Sequence, residues 1–330
     1  MEPRLRVLDG WRGVSLLCIL AAHLLPLGPK VLQFNGMVGI AAMATFFALS
    51  GFLITRFLLE HESALDFLVR RIARILPLAW LAILIAFPWF GATPRQYAAN
   101  LLLIANQVPG ALIVPGGHLW SLCIELQFYL GIASLFAWRG RRGLTFIPIL
   151  CVLVTLHRIH AGAGLSIETL LRIDEVLVGG TVLLAWHGAL GPRARAWAGA
   201  VNPWLSLALL LASSHSLAGP LQYFRPYFAG LLLGAVLLQP RPRLKALLEH
   251  RVLGYLAEVS YAVYVIHYFL IFTWLGSGDT LARYLKRPLL LGVTFGLAHL
   301  STYSFEKPCV AFGKRLARRL SRAGSLETAG

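Results

Sequence analysis

Apolar residues along this chain run in blocks of about 17 to 21 residues, broken by short segments rich in arginine, proline and glycine. Neither the two-residue alternation of a half-buried strand nor the narrow stripe of a surface helix describes them. A helix rises about 1.5 Å per residue, so roughly 20 apolar residues match the ~30 Å hydrocarbon core of a bilayer. The blocks fall near residues 11–27, 38–58, 75–91, 119–137, 144–160, 168–188, 203–219, 221–239, 255–275 and 288–306. They predict an all-α, polytopic membrane protein with about ten transmembrane helices. The interval 97–113 is apolar too, but it carries Asn100, Asn106, Gln107 and Pro109. Unpaired amides are costly in hydrocarbon, so this piece reads as interfacial or re-entrant.

Threading the loops alternately inside and outside tests that reading. With the N-terminus in the cytoplasm, the inner segments collect Arg4, Arg6 and Arg12, then Arg56, Arg70, Arg71 and Arg74, then Arg139, Arg141 and Arg142. Further along they take Arg193, Arg195, Arg241, Arg243, Lys245 and Arg251, then Lys307, Lys314, Arg315, Arg318, Arg319 and Arg322. The positive-inside rule predicts this bias, and an odd number of spans would destroy it, so both termini are expected in the cytoplasm. The first apolar run follows a basic start, as in a signal peptide. It lacks a small-x-small cleavage site and is expected to remain as the first span. One membrane domain is expected over 1–310, with a basic cytoplasmic tail over 311–330 that reads as a membrane-surface helix. No repeat of fixed period is present in the sequence, which argues against a solenoid or an inverted-repeat transporter.

Composition narrows the class further. The 330 residues are 58% hydrophobic and 13% charged, with a formal net charge of +16. Soluble domains carry about 25% charged residues, so a soluble enzyme and a disordered tail are excluded. A basic excess can mark a nucleic-acid binder, but a mean hydropathy of +0.70 leaves no polar face for one. Basic loops on a membrane protein account for both numbers. Cys18, Cys123, Cys151 and Cys309 have neither metal-like nor redox-like spacing, so no metal site or disulfide framework is expected.

Ionisable groups at membrane depth cost roughly 2.5–3.5 kcal/mol each on insertion scales and are therefore candidates for function. Arg12 and His23 lie in the first run, about 16 Å apart along one helix. A neutral imidazole accepts a proton from an alcohol, as hydroxyl acylation requires; the plainer alternative is an interfacial histidine. Ser50-Gly51 sits mid-run, where small residues favour close helix packing. Arg71 and Arg74 share a helix face, suiting either a diphosphate or an ordinary membrane anchor. Glu125 enters an apolar run and would either orient a catalytic histidine or pair with an arginine. Arg172, Asp174 and Glu175 open another run, placed to bind an acceptor's hydroxyls or to pair with one another. Tyr264 lies one turn before His267, a pair that either lines a polar cavity or packs helices.

These blocks, taken in order, resemble the acyltransferase 3 family of integral-membrane acyltransferases. Leu8-Asp9-Gly10-Trp11-Arg12-Gly13 with His23 resembles the family's opening L-D-G-x-R-G and R-x10-H motifs. Phe46 to Ile54 resembles F-F-x-L-S-G-F-L-I, Arg71 and Arg74 fall on R-x-x-R, and Trp120 to Tyr129 resembles W-S-L-x-x-E-x-Q-F-Y. Tyr264 with His267 resembles Y-x-x-H, and Glu306-Lys307-Pro308 the closing E-x-P. Two departures stand out: Leu126 replaces a second acidic residue, and Tyr268 replaces a common tryptophan.

The resemblance implies a ten-helix core in a bacterial-type inner (plasma) membrane. It implies O-acylation, with acyl-CoA (acetyl-CoA above all) as cytoplasmic co-substrate and no permanently bound cofactor. The acceptor would be a hydroxyl of a surface glycan, a lipid-linked glycan or a small hydroxylated metabolite. Under it, His23 is the catalytic base, and Arg12 and Glu125 assist. Arg71, Arg74 and neighbouring Arg70 hold the CoA phosphates, while Tyr264, His267, Arg172 and Glu175 are assigned to the acceptor side or cavity. Two other classes compete: a transporter or flippase of acyl groups or glycolipids, and a membrane scaffold whose polar groups only pack helices.

Overall fold

A computed structural model describes residues 5–61, 63–239 and 241–327, with side chains described up to residue 320 except at 197 and 198. Arg4 of the basic-residue pattern lies outside the described residues, as do the side chain of Arg322 and residues 328–330 of the tail. Every regular element among the described residues is helical. In chain order the α-helices are α1 (Arg6–Leu24), α2 (Phe34–Glu60), α3 (Ala64–Ala86), α4 (Pro94–Leu101), α5 (Trp120–Arg139), α6 (Ile147–His160) and α7 (Asp174–Trp186). They continue with α8 (Gly191–Ala200), α9 (Pro203–Ser214), α10 (Arg225–Leu238), α11 (Pro242–Leu248), α12 (Arg251–Ile271), α13 (Thr280–Ser301) and α14 (Lys307–Glu327).

Each apolar block of the sequence falls on a helix, yet among the described residues six helical stretches are long and apolar enough to cross a membrane: Arg6–Leu24, Lys30–Glu60, Ala64–Phe90, Val114–His160, Gly219–Leu238 and Arg251–Ile271. The expected count of about ten is not confirmed by this measure, for identifiable reasons. The blocks at 119–137 and 144–160 belong to one 47-residue helical stretch, interrupted by a 3-10 segment at Gly140–Phe146. Helices α7 and α9 have 13 and 12 residues. At 1.5 Å per residue each covers about 20 Å or less, short of a ~30 Å core. Helix α13 carries Arg283, Lys286 and Arg287 in its first half. The chain is thus a multi-pass membrane protein.

The chain divides into two compact units. The first holds residues 1–60, 139–166 and 170–258, the second 61–138, 167–169 and 259–330. Inside the first unit, α2 and α7 cross at backbone contact. A Cβ on Gly51 would lie 1.8 Å from the Val176 carbonyl oxygen, and one on Gly179 would lie 1.8 Å from that of Ala48. Only glycine permits that approach, so Ser50-Gly51 is a packing element. Phe47, Phe52 and Ile54 bury beside it.

Inside the second unit, Ser63 caps α3 by accepting from the Asp66 N–H at 3.1 Å. The interval 97–113 contains only the last part of α4, followed by turns through which Leu103 passes at a φ of +52°. Its asparagine amide donors find partners inside the protein. Asn100 donates to the carbonyls of Gln96 and Ala111, and Asn106 donates to the Ile167 carbonyl and the Thr169 hydroxyl. Gln127 of α5 donates to the Leu103 carbonyl at 3.1 Å and to Asn106 Oδ1 at 2.9 Å. Irregular backbone tolerates an apolar setting when protein groups replace water in this way. Helix α14 runs unbroken across residue 310 and packs on α3, with Gly313 and Ala317 buried.

Candidate active site

Helix α1 is continuous from Arg6 to Leu24, so Arg12 and His23 ride on one rigid element. Eleven residues make about three turns and return to the same face within about 20°. The Arg12 guanidinium lies 5.7 Å from the Phe46 ring centroid, a cation–π contact within the first unit. His23 occupies the last turn and is exposed on the protein surface. The glycines of the opening motif have a packing role. A Cβ on Gly10 would meet the Leu248 carbonyl oxygen at 2.0 Å, and one on Gly13 would meet that of Leu253 at 2.6 Å. They seat the end of α11 and the start of α12 against the helix that carries Arg12.

The three arginines of α3 have different surroundings. Arg70 is paired with Asp66 one turn earlier, at 2.8 Å. Arg71 stacks over two rings, with Phe67 and Tyr129 each 5.7 Å from its Cζ atom. Tyr129 of α5 donates its hydroxyl to Glu125, one turn back on the same helix. Arg71, Arg74 and Glu125 all act electrostatically on Tyr129, and Arg74 and Glu306 on Tyr261. The Tyr261 hydroxyl donates to the Ile75 carbonyl at 2.5 Å, and Glu306 accepts from Ser301 and Thr302. In the second unit, therefore, Arg71, Arg74, Glu125, Tyr129, Tyr261 and Glu306 form one charged cluster.

Tyr264 and His267 lie in a tight aromatic setting with His118. Tyr264 donates to the His118 carbonyl at 2.6 Å and lies 2.7 Å from the Ser121 hydroxyl. His118 Nε2 lies 3.1 Å from the Val265 carbonyl, while His267 Nδ1 lies 2.8 Å from that of Tyr264. Carbonyls only accept, so these contacts place hydrogens on His118 Nε2 and His267 Nδ1. The two imidazole centroids are 5.7 Å apart, and both residues are buried.

In the first unit, Arg172 and Glu175 belong to a larger buried ion network. Arg172 donates to Glu175 at 3.0 Å, and Arg225 donates to the other carboxylate oxygen at 2.7 Å. Arg158 holds Asp174 at 2.5 Å, and Thr155 donates to the same oxygen at 3.1 Å. Arg158, Asp174 and Glu175 are 0% exposed. Remaining donors clamp the preceding loop: Arg158 and Arg225 reach the Gly164 carbonyl, and Arg172 reaches that of Ser166. Among the described residues, no group of three or more His, Cys, Asp or Glu side chains could hold a metal ion.

Residues 5–303 match the family described as an acyltransferase domain, acyltransferase 3. The chain belongs to the acyltransferase 3 family. It is 27% identical to a Bacillus subtilis (strain 168) protein with the provisional name peptidoglycan O-acetyltransferase YrhL, covering 93% of this chain and 55% of that one. It therefore spans about half the length of that relative. Acyltransferase MdmB of Streptomyces mycarofaciens is 27% identical over 81% of this chain and 79% of its own length. Nodulation protein 10 of Rhizobium leguminosarum bv. viciae is 26% identical over 88% of each. No solved structure matches the chain.

In this acyltransferase 3 chain the motif residues divide between the units. Arg12, His23, Arg172 and Glu175 belong to the first; Arg70, Arg71, Arg74, Glu125, Tyr264 and His267 belong to the second. Several participants are not singled out by the sequence reading. Arg158 and Arg225 lie near the end of the block 144–160 and the start of the block 221–239, and neither belongs to a motif. Tyr129 closes the E-x-Q-F-Y motif, but its pairing with Arg71 has no signal in the sequence. His118 precedes the W-S-L motif and is distinguished only by the tertiary contacts to α12.

Proposed function

We propose that this protein is a membrane O-acyltransferase that moves an acyl group, acetyl above all, from cytoplasmic acyl-CoA to a hydroxyl of a cell-surface glycan, a lipid-linked glycan or a related metabolite. His23 takes the proton of the acceptor hydroxyl, and the resulting oxygen nucleophile attacks the thioester carbonyl carbon. A tetrahedral intermediate forms and collapses, the C–S bond breaks, and the CoA thiolate leaves to take up a proton. Arg71 and Arg74 hold the diphosphate through charge-assisted hydrogen bonds, with Arg70 beside them and Glu125 and Arg12 supporting the reacting groups. Tyr264, His267, Arg172 and Glu175 serve the acceptor side. Ten membrane crossings, an inner-membrane location and cytoplasmic termini complete the reading, and the one-sided distribution of Lys and Arg supports them.

The observation that carries this reading is the family match over 5–303, together with Arg12 and His23 on one face of an unbroken helix. The names of two relatives, a peptidoglycan O-acetyltransferase and the O-acetyl transferase of Shigella phage Sf6, support acetyl transfer and a glycan acceptor. The first test is acetyl-CoA binding to the purified protein beside the Arg71→Ala/Arg74→Ala variant. Saturable binding that weakens sharply in the folded variant supports the donor site. A folded wild type that binds neither acetyl-CoA nor longer acyl-CoAs overturns it in favour of a transporter.

A further inference from the structure

The charge around the R-x-x-R arginines does not match a CoA thioester. Its phosphate groups, a diphosphate and a ribose 3′-phosphate, carry about four negative charges. Arg70 is already neutralised by Asp66 at 2.8 Å. Arg71 and Arg74 act on the same tyrosines as Glu125 and Glu306, so their positive charge is shared with two acidic side chains. Two guanidiniums on one helix face suit the diphosphate. The 3′-phosphate needs positive charge from elsewhere.

Helix α14 carries that charge and lies against the turn of α3 that bears the arginines. A Cβ on Gly313 would sit 2.4 Å from the Ala73 Cβ and 3.5 Å from the Val69 carbonyl oxygen, two positions that bracket Arg70 and Arg71. Gly313 is buried in this contact, and Ala317, four residues on and on the same side of the helix, is 1% exposed. Between residues 307 and 320 the helix holds Lys307, Lys314, Arg315, Arg318 and Arg319 and no acidic residue. Lys314 and Arg318 follow directly after these two buried residues, four apart on one exposed face. Neither forms an ion pair among the described residues.

We propose that α14 completes the donor site: Lys314 and Arg318 bind the 3′-phosphate of acyl-CoA while Arg71 and Arg74 hold its diphosphate. This rests on the donor reading above. The phosphate chemistry is shared with anionic lipid headgroups, which a basic helix at a membrane surface also attracts. Charge complementarity with a ligand whose other phosphates dock on the neighbouring helix favours the thioester. The tail is then a substrate-recognition element and not only a membrane anchor.

The test uses the full chain in nanodiscs of zwitterionic lipid, comparing acetyl-CoA with acetyl-3′-dephospho-CoA. Wild type is expected to prefer acetyl-CoA by roughly tenfold or more, the scale of one charge-assisted phosphate contact. Lys314→Gln/Arg318→Gln, with an unchanged Tm, is expected to bind the two thioesters equally, and Arg71→Gln/Arg74→Gln to lose affinity for both. A Lys314→Gln/Arg318→Gln variant that keeps the wild-type preference overturns the proposal and leaves the donor reading intact. The same holds if its only defect appears when anionic lipid is added. A wild type that binds neither thioester fails the donor reading itself.

Discussion

The Arg71 guanidinium lies 5.7 Å from the ring centroid of Tyr129, whose hydroxyl donates to Glu125. The ring contact joins the R-x-x-R helix to the E-x-Q-F-Y helix, and the hydrogen bond within the second helix fixes the tyrosine that makes it. Replacing Tyr129 by Phe keeps the ring under Arg71 and removes only the donor to Glu125. Acyl transfer is expected to fall about tenfold, since a hydrogen bond to a charged group contributes roughly 1.5–3 kcal/mol, while acetyl-CoA affinity stays near wild type. Tyr129→Leu also strips the ring from Arg71 and is expected to weaken acetyl-CoA binding. Calorimetric titration beside a turnover assay separates the two effects.

General-base catalysis by a positioned histidine contributes typically about 10²–10⁴ in rate. His23→Ala is expected to lose transfer on that scale while binding acetyl-CoA as tightly as wild type. The wild-type rate is expected to fall at acid pH, because an imidazole that already holds a proton cannot accept one from the acceptor. That acid limb is expected to vanish from the residual activity of His23→Ala. Full transfer by a folded His23→Ala protein would falsify the mechanism.

At the α2–α7 crossing there is no room for a side chain. Gly51→Val places carbon where the Val176 carbonyl oxygen already is, and the helices must separate. Overpacking of this kind costs about 1–3 kcal/mol or more, so a clear drop in Tm and in folded yield is expected in detergent. Gly36→Ala is the control, since nothing lies within 4 Å of its new methyl group, and it is expected to leave Tm unchanged.

The buried network makes an asymmetric prediction. Arg158→Met leaves Asp174 buried without its guanidinium, a change that costs about 3–5 kcal/mol. Arg158→Met/Asp174→Leu removes both charges and is expected to recover a good part of that loss. Thermal unfolding of the two variants checks the order. A double variant no more stable than the single one would show that the carboxylate has a role beyond pairing with Arg158.

Much of this architecture can be read from the chain alone because the bilayer imposes it. Roughly 20 apolar residues in a row have few alternatives to a helix, and each of the ten blocks indeed lies on one. The same logic identifies 97–113 as irregular, since Asn100 and Asn106 demand partners that a lone span cannot supply. The motif order from Gly10 to Pro308 marks the family for a similar reason: those residue types are too costly in lipid to be incidental.

Partners, in contrast, are a matter of tertiary structure. Hydropathy places Arg158 and Arg225 near the ends of apolar blocks; packing decides that both bury, that they hold Asp174 and Glu175 respectively, and that they converge on the Gly164 carbonyl. The spacing of Gly10 and Gly13 does not announce Leu248 and Leu253, some 240 residues away in the chain. Nor does the basic tail announce that Gly313 seats α14 on the helix bearing Arg71 and Arg74. Periodicity records that a face is apolar, small or charged, because that depends on the local chain and its solvent. Which surface meets it depends on shape and charge complementarity between elements far apart in sequence, and only the folded chain supplies that.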